Sequence, residues 1–213
     1  MNVFKIKNTP TQADRVPFIM EENKVQYTPI KVVSWDKFPH KPEAEVAVAY
    51  TDDAVLVHYK VTEYDVIGTV IEDHGTVWLD SCVEWFFRPY PDGGYYNFEC
   101  NCLGTMLIAY GKDRYERIPA GPGIMSGVKR WASLGKTPFG EKFETTSWEI
   151  ALIIPFTSFF KDEVKSLDGM NCTCNFYKCG GSGKFEHYLS LYPIDVPEPD
   201  YHRPEYFGNI SFR

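Results

Sequence analysis

The sequence predicts an all-β fold: one antiparallel β-sandwich, of jelly-roll or immunoglobulin-like type, with about nine to eleven short strands and long loops. Three observations carry this. Apolar and polar residues alternate over short runs, clusters of Gly, Pro, Asp and Asn separate those runs, and no long stretch keeps a helical period.

The elements follow in order. Glu45 to Tyr50 reads as a strand, Thr51-Asp52-Asp53 as a turn, and Ala54 to Val61 as the returning strand of a hairpin. Cys82 to Arg88, the turn Pro89 to Gly94 and Tyr95 to Cys102 form a second pair. Leu103-Gly104 breaks that strand before Thr105 to Tyr110 returns, so three consecutive strands are expected as a meander. Gly111 to Gly140, rich in Gly and Pro and basic in places, reads as a long loop with one short strand. Phe143 to Ile154 restores alternation, with Trp148, Ile150, Leu152 and Ile154 on one face and Pro155 at its end. Phe156 to Lys161 is the one short helix expected. Cys172 to Lys178, His187 to Tyr192 and Gly208 to Arg213 complete the strands. No repeat or linker divides the chain, so residues 1–213 are expected to form a single domain.

Charge excludes some partners. A net charge of −7, a pI near 5.3 and no cluster of Lys or Arg argue against nucleic acid. No apolar run reaches the ~20 residues of a membrane helix. Met1 to Lys7 lacks the apolar stretch of a signal peptide, which reads as cytoplasmic; a removed leader would instead mean a secreted or periplasmic protein.

The cysteines are Cys100 and Cys102, Cys172 and Cys174, and the separate Cys82 and Cys179. On a strand, residues two apart share a face at about 6–7 Å, too far for an easy local disulfide. Buried free thiols are the main expectation. The sharper alternative gathers the two Cys-x-Cys pairs into a four-thiolate zinc site.

Catalytic signatures are missing. Gly180-Gly-Ser-Gly-Lys184 looks like a phosphate loop, but Lys178 stands where its first glycine belongs and Phe185 replaces the Ser or Thr. It reads as a hairpin turn. Ser182 and Ser190 lack a nucleophile-elbow context, and His40, His58, His74, His187 and His202 show no ligand spacing. No catalytic residue and no required cofactor is assigned.

The candidate site begins at Trp78. Trp78 and Asp80 precede a strand on which Cys82, Glu84 and Phe86 share a face. The next strand puts Tyr95, Asn97, Glu99 and Asn101 on one of its faces. If these two faces are one surface, carboxylates and amides lie flanked by aromatics. Such a surface suits a sugar, whose C–H faces stack on aromatic rings and whose hydroxyls need planar donors and acceptors. It equally suits the solvated face of a half-exposed sheet. His202, beside Tyr201, is either a further hydroxyl partner or a solvated loop residue.

Trp78-x-x-x-x-Val83-Glu84-x-Phe86, then Tyr96-x-Phe98-x-x-Asn101, then Pro204-Glu-Tyr-Phe207-Gly208-Asn209 resembles the family 9 carbohydrate-binding modules, β-sandwich domains often attached to xylanases. The resemblance implies that Trp78 and Tyr201 clamp a sugar, Tyr201 standing where the family has a second tryptophan. It also implies that Glu84 receives hydroxyls, and it matches Asn101 to a family asparagine. Glu99 falls where the family has an arginine. Family members can hold structural calcium, for which this chain has no dense Asp/Asn loop.

Three functions follow. The first is a non-catalytic domain holding a mono- or oligosaccharide, with cellulose and xylan as polymer sources, through Trp78, Glu84, Glu99, Asn101, Tyr201 and His202. The second is a glycoside hydrolase with Glu84 and Glu99 as acid and nucleophile, which requires their carboxyls about 5–5.5 Å apart. The third is a protein-interaction module.

Overall fold

The computed structural model describes residues 1–213. In chain order it contains β1 (Asn2–Lys5), helix α1 (Val16–Glu22), β2 (Thr28–Pro29), β3 (Val32–Val33), β4 (Glu43–Tyr50), β5 (Ala54–Glu63) and β6 (Val66–Gly68). The middle holds β7 (Ser81–Arg88), β8 (Tyr95–Asn101), β9 (Met106–Gly111), β10 (Arg117–Pro119), α2 (Pro122–Gly127), β11 (Lys129–Ala132) and β12 (Phe139–Lys142). The last part holds β13 (Thr146–Pro155), β14 (Asn171–Gly180), β15 (His187–Ser190) and β16 (Gly208–Phe212).

Two sheets face each other. The first runs β10-β9-β8-β7-β14-β16, with β15 on the far half of β14 and β3 beyond it. The second runs β11-β13-β5-β4, with β2 on β4. The expected hairpin is β4–β5 and the expected meander is β7–β8–β9.

The core lies between the sheets because alternation sends one set of side chains inward from each. Val46, Val48, Val57, Tyr59, Trp148, Ile150, Leu152 and Ile154 meet Val83, Trp85, Phe87, Phe98 and Phe176 in one buried cluster. Trp85 anchors it: its ring stacks on Phe98 of β8 at 5.4 Å and on Phe176 of β14 at 6.0 Å. All three are direct cross-strand partners, the geometry in which aromatic pairs add most to a sheet.

The outer face of the second sheet is built from small residues, Ala47, Ala49 and Ala151 with Leu56 and Ile153, and helix α1 covers it. Val16 and Met20, four apart on α1, are both fully buried there. The outer face of the first sheet carries Cys82, Glu84, Phe86, Tyr95, Tyr177 and Cys179. It is covered by loop residues Trp35, Ile194 and Tyr201, with Trp35 Nε1 donating to the Val196 carbonyl at 2.8 Å.

Several expectations need correction. Sixteen strands form rather than about nine to eleven, since short edge pieces of two or three residues (β2, β3, β6, β10) carry too few positions to show a period. Phe156–Ser158 is a single 3-10 turn; the α-helices are α1 and α2. At seven and six residues they are too short for a periodic signal. The sandwich is also not wholly antiparallel. Strand β1 runs parallel to both neighbours, pairing Asn2 and Val3 with Ser211 and Phe212, then Phe4 and Lys5 with Ala49 and Tyr50, and so passes from one sheet to the other.

All six cysteines are buried and unbridged. The four-thiolate arrangement does not form, because β7 lies between the strands that carry the two Cys-x-Cys pairs.

Candidate functional site

Strands β7, β8 and β14 supply the floor of a cleft of about 510 Å³, within the ~300–1,000 Å³ usual for small ligands. Register decides what lies there. Glu84 stands directly opposite Glu99, and Phe86 opposite Asn97. The polar faces of the two strands are therefore one surface. It is not a solvated one: Glu84, Asn97 and Glu99 are at most 4 % exposed beneath the 194–207 loop and the turn before β7.

The polar groups form a relay. Asn97 Nδ2 donates to Glu99 Oε1 at 2.7 Å, and Asn97 Oδ1 accepts from Arg117 Nη2 at 2.5 Å. The Arg117 guanidinium also lies 4.2 Å over the Tyr95 ring and donates to the Tyr95 carbonyl at 3.0 Å. Arg117 opens β10, which pairs back on β9, so a cation reaches Glu99 from two strands away. The charge reversal seen along β8 is compensated in space. Arg117 went unrecognised because it lies in the Gly- and Pro-rich segment. The signal that could have found it is Asp113, whose carboxylate accepts from the Tyr115 and Glu116 amides at 2.8 and 2.9 Å and turns the chain back onto β9.

Burial sets the protonation of the two glutamates. It pushes Glu99 up to about 7, against the opposing pull of the Asn97 hydrogen bond and the Arg117 charge. Glu84 is held well above the carboxylate range, first by burial, then by Cys179 and Glu99. The Cys179 thiol donates to Glu84 Oε1 at 3.2 Å.

This has a consequence for stability. Glu99 rises from an ordinary 4.5 to about 7 on folding, so its contribution is fully present below pH 4.5 and lost as pH rises through 7. Glu99→Gln is therefore expected to gain on the wild type by up to about 3 kcal/mol between about pH 5 and about pH 8. Urea midpoints of both proteins across that range check it; Glu84, which the Glu99 charge helps hold up, is the one neighbour whose titration also changes in the variant.

His202 lines the cleft with its ring 4.8 Å from Phe86. Burial, followed by the cations Arg117 and Arg114, lowers it to about 3, so the ring is neutral. Nδ1 lies 2.8 Å from the Tyr95 hydroxyl. With Tyr95 donating to Nδ1, Nε2 carries the proton and is a donor.

Trp78 is the aromatic left open: 40 % exposed, on the 3-10 turn Val77–Leu79 at the cleft wall. The Gly180–Lys184 turn fixes it. Gly181 N donates to the Trp78 carbonyl at 3.2 Å and Ser182 Oγ to the Leu79 carbonyl at 2.7 Å. A Cβ on Gly181 would lie 2.8 Å from the Trp78 carbonyl oxygen, so only glycine permits this approach.

Tyr201 also lines the cleft but is 8 % exposed. Its ring stacks on Tyr177 at 3.9 Å and 7°, with Trp35 and Tyr188 at its sides, and its hydroxyl reaches the Lys178 and Leu189 carbonyls. Little of its surface is left for a ligand. Half-buried Tyr188, with Arg114 and Asp200 on the wall, adds cleft residues that sequence reasoning did not select.

Asn101 is not brought to the cleft. It is fully buried; Nδ2 donates to the Val70 carbonyl and to Asp80, each at 2.8 Å, and Oδ1 accepts from the Leu103 and Thr105 amides. It ties the loop before Trp78 to the β8–β9 turn and has no valence to spare for a ligand.

Comparison with known proteins bears on the family and the fold. The family model of carbohydrate-binding family 9 matches residues 14–212. The crystal structure of a putative carbohydrate-binding protein from Bacteroides uniformis is similar at 41 % identity and a TM-score of 0.97, over 100 % of this chain and 98 % of that one. A family 9 module from Caldicellulosiruptor kristjanssonii, solved with glucose, shares the fold at 13 % identity and a TM-score of 0.62, over 100 % of this chain and 96 % of that one. The same module with cellotriose gives the same identity and TM-score, with 94 % of that chain covered. No curated protein matches the sequence. With a cleft built on the Val83-Glu84 strand and the family pattern running nearly end to end, the chain belongs to carbohydrate-binding family 9.

Proposed function

We propose that the chain is a non-catalytic carbohydrate-binding domain whose cleft takes one pyranose ring. The ring lays a C–H face on Trp78, while its hydroxyls meet Glu99, Glu84, the Arg117–Asn97 pair and His202 Nε2. The observation that carries this is the pairing of one open indole with a buried, directional polar floor. Stacking supplies affinity; the floor selects among hydroxyl orientations, because a buried donor or acceptor left unmatched costs about 1–3 kcal/mol. Tyr201 contributes a wall braced by Tyr177 more than a second platform.

Hydrolysis is the weaker reading. A retaining pair needs one carboxylate ionised and one protonated, whereas burial raises both Glu84 and Glu99, and one oxygen of Glu99 is engaged by Asn97.

Titration with glucose, xylose and cello- or xylo-oligosaccharides, followed by tryptophan fluorescence with reducing-end release assayed alongside, tests the proposal. Saturable quenching without release is expected. Release that is lost in Glu84→Gln would replace binding with hydrolysis, and silence towards every glycan would favour a protein-interaction role. Gly181→Val, which displaces the Trp78 turn, is expected to weaken the best ligand by roughly tenfold, about 1.4 kcal/mol, in the same titration.

A further inference from the structure

Cys82 and Cys179 are direct partners across β7 and β14, and both point to the outer face of the sheet. Glu84, two residues along β7 from Cys82, shares that face. The two Sγ atoms and one carboxylate oxygen lie within 4.8 Å of one another, the single place in the chain where three side chains of metal-ligating type converge. Cys179 Sγ is already 3.2 Å from Glu84 Oε1. Around a tetrahedral zinc ion, with bonds of about 2.0–2.3 Å, such donors stand about 3.5–3.8 Å apart. Small rotamer changes suffice to close the set.

Three further features fit a cation. The donors sit on the central strands of a rigid sheet, where their spacing is fixed in advance. All three residues are at most 2 % exposed, so a bound ion would be shielded from bulk water once it had displaced their protons. Glu84 and Cys179 line the cleft, which gives an ion its way in.

We propose that Cys82, Cys179 and Glu84 form a three-ligand site for a borderline-soft divalent cation of the zinc class at the floor of the cleft. Two sulfur donors select against calcium and magnesium. Three protein ligands leave a fourth position for water or a ligand oxygen. The site shares Glu84 with the proposed sugar floor, so Cys82→Ala and Cys179→Ala, which leave that carboxylate in place, separate loss of metal from loss of sugar binding.

The test adds Co2+ and Cd2+ in turn to the fully reduced chain. One equivalent is expected to bind, with a sulfur-to-metal charge-transfer band and, for cobalt, tetrahedral d–d absorption. Removing an outer-sphere partner of a metal ligand costs roughly 10–100-fold in affinity, so Cys82→Ala and Cys179→Ala should each lose more than roughly 100-fold, and Glu84→Gln at least tenfold. Cys172→Ala, far from the cluster, should bind as the wild type does. Should the alanine variants fail to fold, the wild type still decides: bound metal must protect Cys82 and Cys179, located by mass spectrometry, from alkylation in mild denaturant. No charge-transfer band in the reduced wild type, a band that survives in the Cys82→Ala/Cys179→Ala double variant, or equal alkylation with and without metal would each overturn the proposal.

Discussion

Lys178→Met is expected to lower folding stability by about 3–5 kcal/mol, the largest loss from any one polar side chain here. Lys178 lies on β14 with its side chain pointing between the sheets and no exposed surface. Its ammonium meets Glu63 Oε2 at 2.8 Å, the Cys179 carbonyl at 2.9 Å and His187 Nε2 at 2.8 Å. His187 Nδ1 donates to the Phe185 carbonyl at 2.7 Å, which leaves Nε2 as the acceptor that Lys178 needs. Glu63 accepts from Trp148 Nε1 at 2.7 Å through its other oxygen.

Removing the lysine strands a carboxylate in the core, and that uncompensated charge is the source of the loss. Lys178→Met/Glu63→Leu removes both charges and is expected to recover most of it. Urea midpoints of the two variants distinguish the cases. A single variant within about 1 kcal/mol of the wild type would show that the pair contributes little.

Trp78→Ala carries the largest expected effect on binding. Indoles that close a site are among the side chains whose truncation costs most, and a loss of about 2–4 kcal/mol corresponds to roughly 30- to 1,000-fold in Kd. Because Trp78 is 40 % exposed, its loss of stability should stay below the ~3–5 kcal/mol of a fully buried tryptophan. Trp78→Phe keeps a smaller stacking face and should fall between. Calorimetric titration of all three with the same oligosaccharide checks the order; equal affinities would remove Trp78 from the site.

The parts of the fold that were legible in the sequence are those where one face is buried over many residues. Trp148, Ile150, Leu152 and Ile154 declare the inner face of β13, and the clean division of β8 into Tyr96-Phe98-Cys100 and Asn97-Glu99-Asn101 declares both of its faces. The Glu84–Glu99 pairing was left open by alternation and is set by the register across the six-residue Pro89–Gly94 connection. What was not legible depends on contacts between distant segments. Nothing local in Asn101 tells that Asp80 and Val70 consume its amide, and nothing in Arg117 tells that a three-residue edge strand carries it to Asn97. The burial of the polar face comes from residues 194–207, a loop whose composition is indistinguishable from a solvated one. Parallel pairing of β1 leaves no trace in alternation at all.

That first strand has a consequence for how the chain can be made. Its pairing of Asn2 and Val3 with Ser211 and Phe212 joins the opening residues to the last ones, and the remaining half of β1 sits on β4. During synthesis, the amino-terminal strand must wait with half of its backbone groups unmatched until β16 leaves the ribosome. A chain released short of Gly208 therefore leaves Asn2 and Val3 without their partner strand. For the same reason residues 2–3 and 211–212 stand side by side, so a circular permutant of residues 1–213 can be closed there, and new ends in the Gly111–Arg117 hairpin or the Gly180–Lys184 turn separate two contributions to the cleft: the first cuts Arg117 loose from Asn97, the second releases Trp78.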